Sequence, residues 1–220
     1  MIDVRMFTVG PVQENCFIVR KNDAQQAVIV DPGDEAERIL QALEALNITQ
    51  VVAILLTHTH FDHIGAVAPV AKATGAPVYC PERETFVLAN IMDFVPWAGF
   101  GPFESYEADH TVKGGETLEL AGMTIDVLFT PGHSPGHVTY AVRDADAVFS
   151  GDVLFQGSVG RVDLPGGDWP TLLRSIETLV ERFAPETTVY PGHMGVTTLG
   201  RERATNPFLR ELAAQPNPSQ

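Results

Sequence analysis

The chain has 220 residues, 45% hydrophobic and 19% charged, which is enough apolar material for one large α/β domain and too much for a disordered chain. Fourteen basic against 28 acidic residues leave a net charge of −14, which argues against nucleic acid or an anionic membrane surface as a partner. Two isolated cysteines, Cys16 and Cys80, do not make a disulfide scaffold, "MIDVRMFTVG" carries no basic-then-apolar leader, and no apolar run reaches the length of a membrane span, so the expected setting is a soluble, cytoplasmic one.

In chain order, "VRMFTV" (4–9), "NCFIVR" (15–20) and "AVIVD" (27–31) read as opening strands, being short, β-branched and bounded by turn residues. "PGDEAERILQALEALN" (32–47) predicts a surface helix with Asp34 as N-cap, Glu37 three residues on, and Ile39, Leu40, Leu43 and Leu46 on one face. "VVAILLT" (51–57) is the continuous apolar run of a strand covered on both faces. It leads into "HTHFDH" (58–63), after which "IGAVAPVAKATG" (64–75) predicts a helix ending at Gly75 and "APVYC" (76–80) another strand.

In the second half, "ETLELAG" with "MTIDVLFT" and "VTYAV" with "DAVFSGD" predict two hairpins, "LLRSIETLVERF" (172–183) an amphipathic helix, and "TTVYPGH" (187–193) a strand ending in a histidine. "NPFLREL" (206–212) predicts a helix with Asn206 as N-cap and Pro207 in its first turn, followed by a loose tail at 214–220. The whole reads as a single domain over residues 1–213. "FTPGH" (129–133) and "VYPGH" (189–193) place the same Pro-Gly-His turn after a strand, so two related halves would each deliver a histidine at a strand end.

Three of the seven histidines fall within "HTHFDH", together with an aspartate. On a strand His58, His60 and Asp62 would share a face and His63 would point away; on a helix all four would fan round the axis. A loop at a strand's carboxyl edge could instead split them between two neighbouring ions, and that edge is where open α/β sheets place their sites. Two ions need about six protein ligands, so the rest must come from elsewhere: His133 and His193 in the twin turns and Asp152 in "FSGDVLF" each follow an apolar run. His110 follows none and reads as a surface residue, while His137 reads either as a group orienting a ligand or as a plain turn residue. The aromatic "FVPWAGFGPF" (94–103) reads as a long connection folded on its own domain, with an acyl-pocket wall or a homodimer contact as alternatives.

The order H-x-H-x-D-H, then His, Asp and His, resembles the metallo-β-lactamase superfamily, and "VIVDPG" (28–33) is similar to its early strand-turn motif. The resemblance implies an αβ/βα four-layer sandwich, two facing mixed sheets with helices outside. It assigns His58, His60 and His133 to one divalent ion, Asp62, His63 and His193 to a second, and Asp152 to both, with zinc foremost and iron or manganese as alternatives. "LFQGSVGRVDLPGGD" (154–168) and "RERATNPFL" (201–209) resemble the short glyoxalase II-like branch, the hydroxyacylglutathione hydrolases. That implies hydrolysis of a thioester such as S-lactoylglutathione by a hydroxide held between the ions, with Asp62 or Asp152 handling the proton. Arg161 would contact a substrate carboxylate, or else pair at the surface with Asp163; Arg201 and Arg203 could assist or be plain helix-end charges. The 27 residues after His193 are too few for the helical domain through which full-length enzymes of this branch contact glutathione, which leaves the thiol carrier open. Persulfide dioxygenases, which use one iron, resemble the same motif set; a lactonase with the same ions and a degenerate, non-catalytic metal-binding module are further alternatives, the last opposed by the filling of all seven ligand positions.

Overall fold

The computed structural model describes residues 1–214; the tail expected at 214–220 lies, from 215 on, outside the described residues. The first half builds one sheet from β1 (Ile2–Val9), β2 (Glu14–Lys21), β3 (Gln26–Val30), β4 (Gln50–Leu55), β5 (Val78–Pro81) and β6 (His110–Val112), in that order. β1, β2 and β3 pair antiparallel, and β3 to β6 run parallel. The parallel crossovers carry α1 (Ala36–Ala45), then α2 (Phe61–Ile64) and α3 (Val67–Thr74), then α4 (Thr85–Ala89).

The second half builds a facing sheet from β7 (Thr117–Leu120), β8 (Met123–Phe129), β9 (Val138–Val142), β10 (Ala147–Gly151), β13 (Thr188–Pro191) and β14 (Thr197–Thr198), ordered β14-β13-β10-β9-β8-β7. The short β11 (Leu154–Phe155) and β12 (Ser158–Val159) form a hairpin; α5 (Trp169–Arg182), α6 (Leu199–Thr205) and α7 (Pro207–Ala214) complete this half.

The period of two sorts the strand side chains into layers. Phe17, Val19, Val28, Val30, Ala53 and Leu55 point inward and meet Ile125, Val127, Tyr140, Val142 and Phe149 from the other sheet. Their neighbours Cys16, Ile18, Ala27, Ile29, Ile54 and Leu56 point outward and pack on Ile39 and Leu43 of α1 and Val67 and Val70 of α3. Leu172, Ile176 and Leu179 of α5 cover the outer face of the second sheet. Each Val, Leu, Ile or Phe among them taken wholly from water contributes about 1.5–3 kcal/mol. The expected four-layer sandwich is therefore present, and both predicted hairpins pair as read. No helix among the described residues is long and apolar enough to cross a membrane.

Two helix expectations are corrected. Asp34 is not the N-cap of α1: that position falls to Glu35, in left-handed conformation at φ 52° with no side-chain cap. The Glu35 carboxylate is taken by the Gly10 N–H at 3.0 Å and by Arg38 at 2.8 Å, so the β1–β2 turn fixes the helix start. The helix expected over 64–75 begins only at Val67, as α3, and Ile64 instead ends the separate turn α2, because the chain between them packs on the Pro32–Gly33 turn. The Ala66 N–H donates to the Pro32 carbonyl, and a Cβ on Gly65 would lie 2.4 Å from the Gly33 carbonyl oxygen. Gly75 does close α3, at φ 69°.

Candidate metal centre

β4 ends beside β3, and its continuation, Thr57, is clasped by Asp31: the carboxylate accepts the Thr57 N–H at 2.7 Å and its hydroxyl at 2.6 Å. The chain then stays extended through His58 and His60 and turns helical at Phe61. That change of conformation spreads the cluster: His58 and His60 precede the turn, Asp62 and His63 lie on the single turn of α2, and His58 stays beside both, its ring 4.8 Å from that of His60 and 4.1 Å from that of His63. One helical turn thus lies inside what was read as a loop, and a further set of donor atoms, from Asp31, His58 and His63, lies within 4.8 Å of one another.

The two twin turns and β10 complete the groups. Donor atoms of His58, His60 and His133 lie within 4.8 Å of one another, as do those of Asp62, His63 and His193. Asp152, just after β10, reaches both: its Oδ2 is 3.4 Å from His133 Nε2 and 3.6 Å from His193 Nε2, and its Oδ1 is 3.3 Å from His63 Nε2. All seven residues singled out in the sequence thus meet at one edge of the sandwich.

Hydrogen bonding on the far side of each ring fixes which nitrogen faces inward. His133 Nδ1 lies 2.7 Å from the Arg161 carbonyl, His193 Nδ1 3.2 Å from the Gln13 carbonyl, and His63 Nδ1 3.0 Å from Asp31 Oδ2. These oxygens only accept, so each Nδ1 carries a proton and Nε2 is the nitrogen turned toward the other donors. The Thr57 hydroxyl spends its proton on Asp31, so His58 Nδ1, 3.1 Å away, must donate to it. His60 differs, turning Nδ1 to within 2.8 Å of His133 Nε2. His58 Nε2, His63 Nε2 and Asp152 Oδ1 are buried with no hydrogen-bond partner. Such atoms cost about 1–3 kcal/mol each unless something satisfies them, and lone pairs converging on a carboxylate fit a divalent cation of the first transition row.

The electrostatics separate the groups. Burial drives His58 well below the ordinary imidazole value, and burial with the neighbouring His133 brings His60 down to about 4. In the other group burial pulls the same way, but Asp152 and Asp62 outweigh it and raise both His63 and His193. Burial would raise Asp152, yet His63, His193 and His133 hold its carboxyl well below the usual range. Glu14, fully buried 3.7 Å behind His63 Nδ1, is pushed well above its ordinary value by burial, against the pull of His63.

A sequence profile of the metallo-beta-lactamase superfamily matches residues 9–193. The chain belongs to that superfamily. It is 35% identical to hydroxyacylglutathione hydrolase GloC of Haemophilus influenzae over 94% of this chain and 98% of that one. Among solved structures it is similar to BLEG-1 B3 metallo-beta-lactamase, with a TM-score of 0.87, 40% identity and coverage of 94% of this chain and 99% of the other. It is also similar to TTHA1623 in a di-iron-bound form, with a TM-score of 0.82, 42% identity and coverage of 93% and 100%.

In this superfamily member the remaining sequence candidates separate clearly. His137 is buried: its Nε2 accepts the Asp152 N–H at 3.0 Å and its Nδ1 meets the Thr130 hydroxyl, so it orients Asp152 through the backbone. His110 is exposed on β6. The Arg161 guanidinium is exposed and bound to Asp163 at 2.6 Å on both branches, the plain alternative of the sequence reading; its carbonyl, not its charge, serves His133. Arg201 and Arg203 lie on the surface of α6. Between them Glu202 is buried, where it accepts the Gly157 N–H and the Thr197 hydroxyl. The 94–103 segment folds back onto Phe61, whose ring meets Trp97 at 5.8 Å and Phe100 at 5.3 Å. Both cysteines are buried and free.

Sequence reasoning missed Glu84, a buried carboxylate tying together the loops around Thr59 and Ser134. "PERE" offers no motif to single it out; only the parallel pairing of β4 with β5 brings its turn beside the histidine loop.

Proposed function

We propose that this chain is a hydrolase using two divalent metal ions to cleave a thioester such as S-lactoylglutathione. His58, His60 and His133 would hold one ion and Asp62, His63 and His193 the other, with Asp152 touching both. The observation that carries the reading is the convergence of the Nε2 atoms of His63, His133 and His193 on the buried carboxylate of Asp152, with His58 Nε2 and His63 Nε2 left buried without a hydrogen-bond partner. Zinc suits this nitrogen-rich donor set, with iron or manganese as alternatives, and the relative named hydroxyacylglutathione hydrolase supports the substrate class. Ions bound there would supply a nucleophile at neutral pH, by lowering the pKa of water from 15.7 to about 7, and would polarise the carbonyl under attack.

The chain's own residues do the rest. Asp31, Gln13 and Arg161 lock three imidazoles in the tautomer that presents Nε2. Asp152, closed off from water, balances positive charge between the two groups, while Asp62 is the carboxylate within reach of solvent and so the one placed to pass a proton outward. No serine or cysteine nucleophile is needed. Arg161, on the rim, would meet a substrate carboxylate by exchanging its Asp163 partner.

The test is a substrate panel on purified protein loaded separately with zinc, iron(II) and manganese. Thioester cleavage without oxygen uptake is expected. Oxygen consumption on glutathione persulfide with one iron per chain, or a β-lactam or lactone opened faster than any thioester, would overturn the assignment.

A further inference from the structure

Glu84 closes a turn, Glu82–Glu84, immediately after β5. It is 4% exposed, and its two carboxylate oxygens face in two directions. Oε2 accepts the Thr59 N–H at 2.8 Å and the Thr59 hydroxyl at 3.0 Å. Oε1 accepts the Ser134 hydroxyl and the Gly136 N–H at 2.7 Å. Thr59 lies between His58 and His60; Ser134 follows His133. One side chain thus ties a loop of the first sheet to a loop of the second, and each residue it holds on those loops is next to, or three places from, a member of one donor group. The members of the other group, Asp62, His63 and His193, bond instead to Asp31, Gln13 and one another.

We propose that Glu84 is the positioning residue of the His58–His60–His133 group, so that its loss removes the ion of that group before the other. The proposal rests on the metal-binding reading above. Its specificity comes from donor and acceptor counting. A carboxylate offers about four acceptor positions, and here all four are used. Both sides present a backbone N–H, which no rotation can turn into an acceptor. A glutamine of the same shape therefore sets its amide protons against Thr59 N–H or Gly136 N–H whichever way it is flipped. Gly136 is matched to this contact, since a Cβ there would fall 2.6 Å from Glu84 Cγ.

The test is calorimetric titration of metal-stripped protein with zinc alone, with cobalt(II) absorption as a second readout of each group's geometry. Wild type is expected to take two ions per chain. E84Q is expected to take one at near wild-type affinity and to bind the other roughly 10–100-fold more weakly, the range seen when a partner of a metal ligand is removed. Ser134→Ala, which keeps the carboxylate and breaks one bond, serves if E84Q does not fold; it is expected to weaken the same ion by a smaller factor. E84Q or Ser134→Ala that loses both ions together, in step with a lowered melting temperature, would make Glu84 a merely structural residue and overturn the proposal. Two unchanged affinities would overturn it too. A wild-type chain that binds no ion at all would show that the metal reading itself had failed.

Discussion

The two Pro-Gly-His turns use the same three residues in different surroundings. Pro131-Gly132-His133 is closed: Gly132, at φ 127°, leaves no room beside α5, where a Cβ would stand 2.2 Å from Leu172 N. His133 is 2% exposed. Pro191-Gly192-His193 opens toward solvent, its imidazole 22% exposed, and a Cβ on Gly192 would strike Asp152 Oδ1 at 2.3 Å and His63 at 2.6 Å. One glycine therefore serves the fold and the other serves the donors. The comparison extends to charge: in the closed group burial lowers His58 and His60, whereas His63 and His193 of the open group sit between Asp62 and Asp152 and hold their protons more tightly.

The residue shared by both groups gives the largest expected effect. Asp152→Ala removes the carboxylate that reaches both groups. It is expected to lower activity about a thousandfold or more, equivalent to several kcal/mol of barrier, and to reduce metal content below one equivalent per group. Steady-state kinetics with elemental analysis of the same sample checks this, and retention of both ions would break the sharing.

The glycines come next. Gly132→Ala is expected to destabilise the fold by about 2–5 kcal/mol, combining left-handed strain with overpacking against α5. Gly192→Ala is expected to spare the melting temperature of the metal-free chain more and to impair ion binding instead. Thermal melts and zinc titrations of both variants should therefore rank them in opposite orders; the same order in both measurements would dissolve the contrast between the turns.

A pH titration sharpens the electrostatic half. A cation must displace any proton its ligands carry. His63 and His193 are raised above 6.5, so ions at the open group compete with protons near neutrality and bind more weakly as pH falls through those values. His60 does not protonate until about 4 and His58 is held well below its ordinary value, so neither carries a proton for an ion to displace between pH 8 and 6. Zinc titrations across that range should show the affinity falling more steeply at the open group than at the closed one. The smallest effect is expected at Arg161→Ala, where an exposed ion pair is worth about 0–1 kcal/mol. Its melting temperature should hardly move, and a several-fold rise in KM without change in kcat would mark the contact with a substrate carboxylate.

The layers were legible because alternation in "NCFIVR" and "AVIVD" and the continuous run "VVAILLT" record which faces are covered. The convergence of the seven candidate donors was legible because metal-capable residues cluster after apolar runs. What escaped depends on contacts between distant segments. The start of α1 is set by Gly10 rather than by a local cap, and the break before α3 by the Pro32–Gly33 turn. His137 differs from a turn histidine only because Asp152 lies against it, and Glu84 is an ordinary glutamate until β5 pairs with β4. Asp31 fell between: its motif was visible, but not its grip on Thr57 and His63.

The most direct measurement is anomalous diffraction at the zinc edge from crystals soaked in zinc. Two peaks are expected, one among His58, His60 and His133 and the other among Asp62, His63 and His193, both in contact with Asp152. Zinc bound elsewhere on the chain, or seven side chains turned away from any peak, would contradict the paired site.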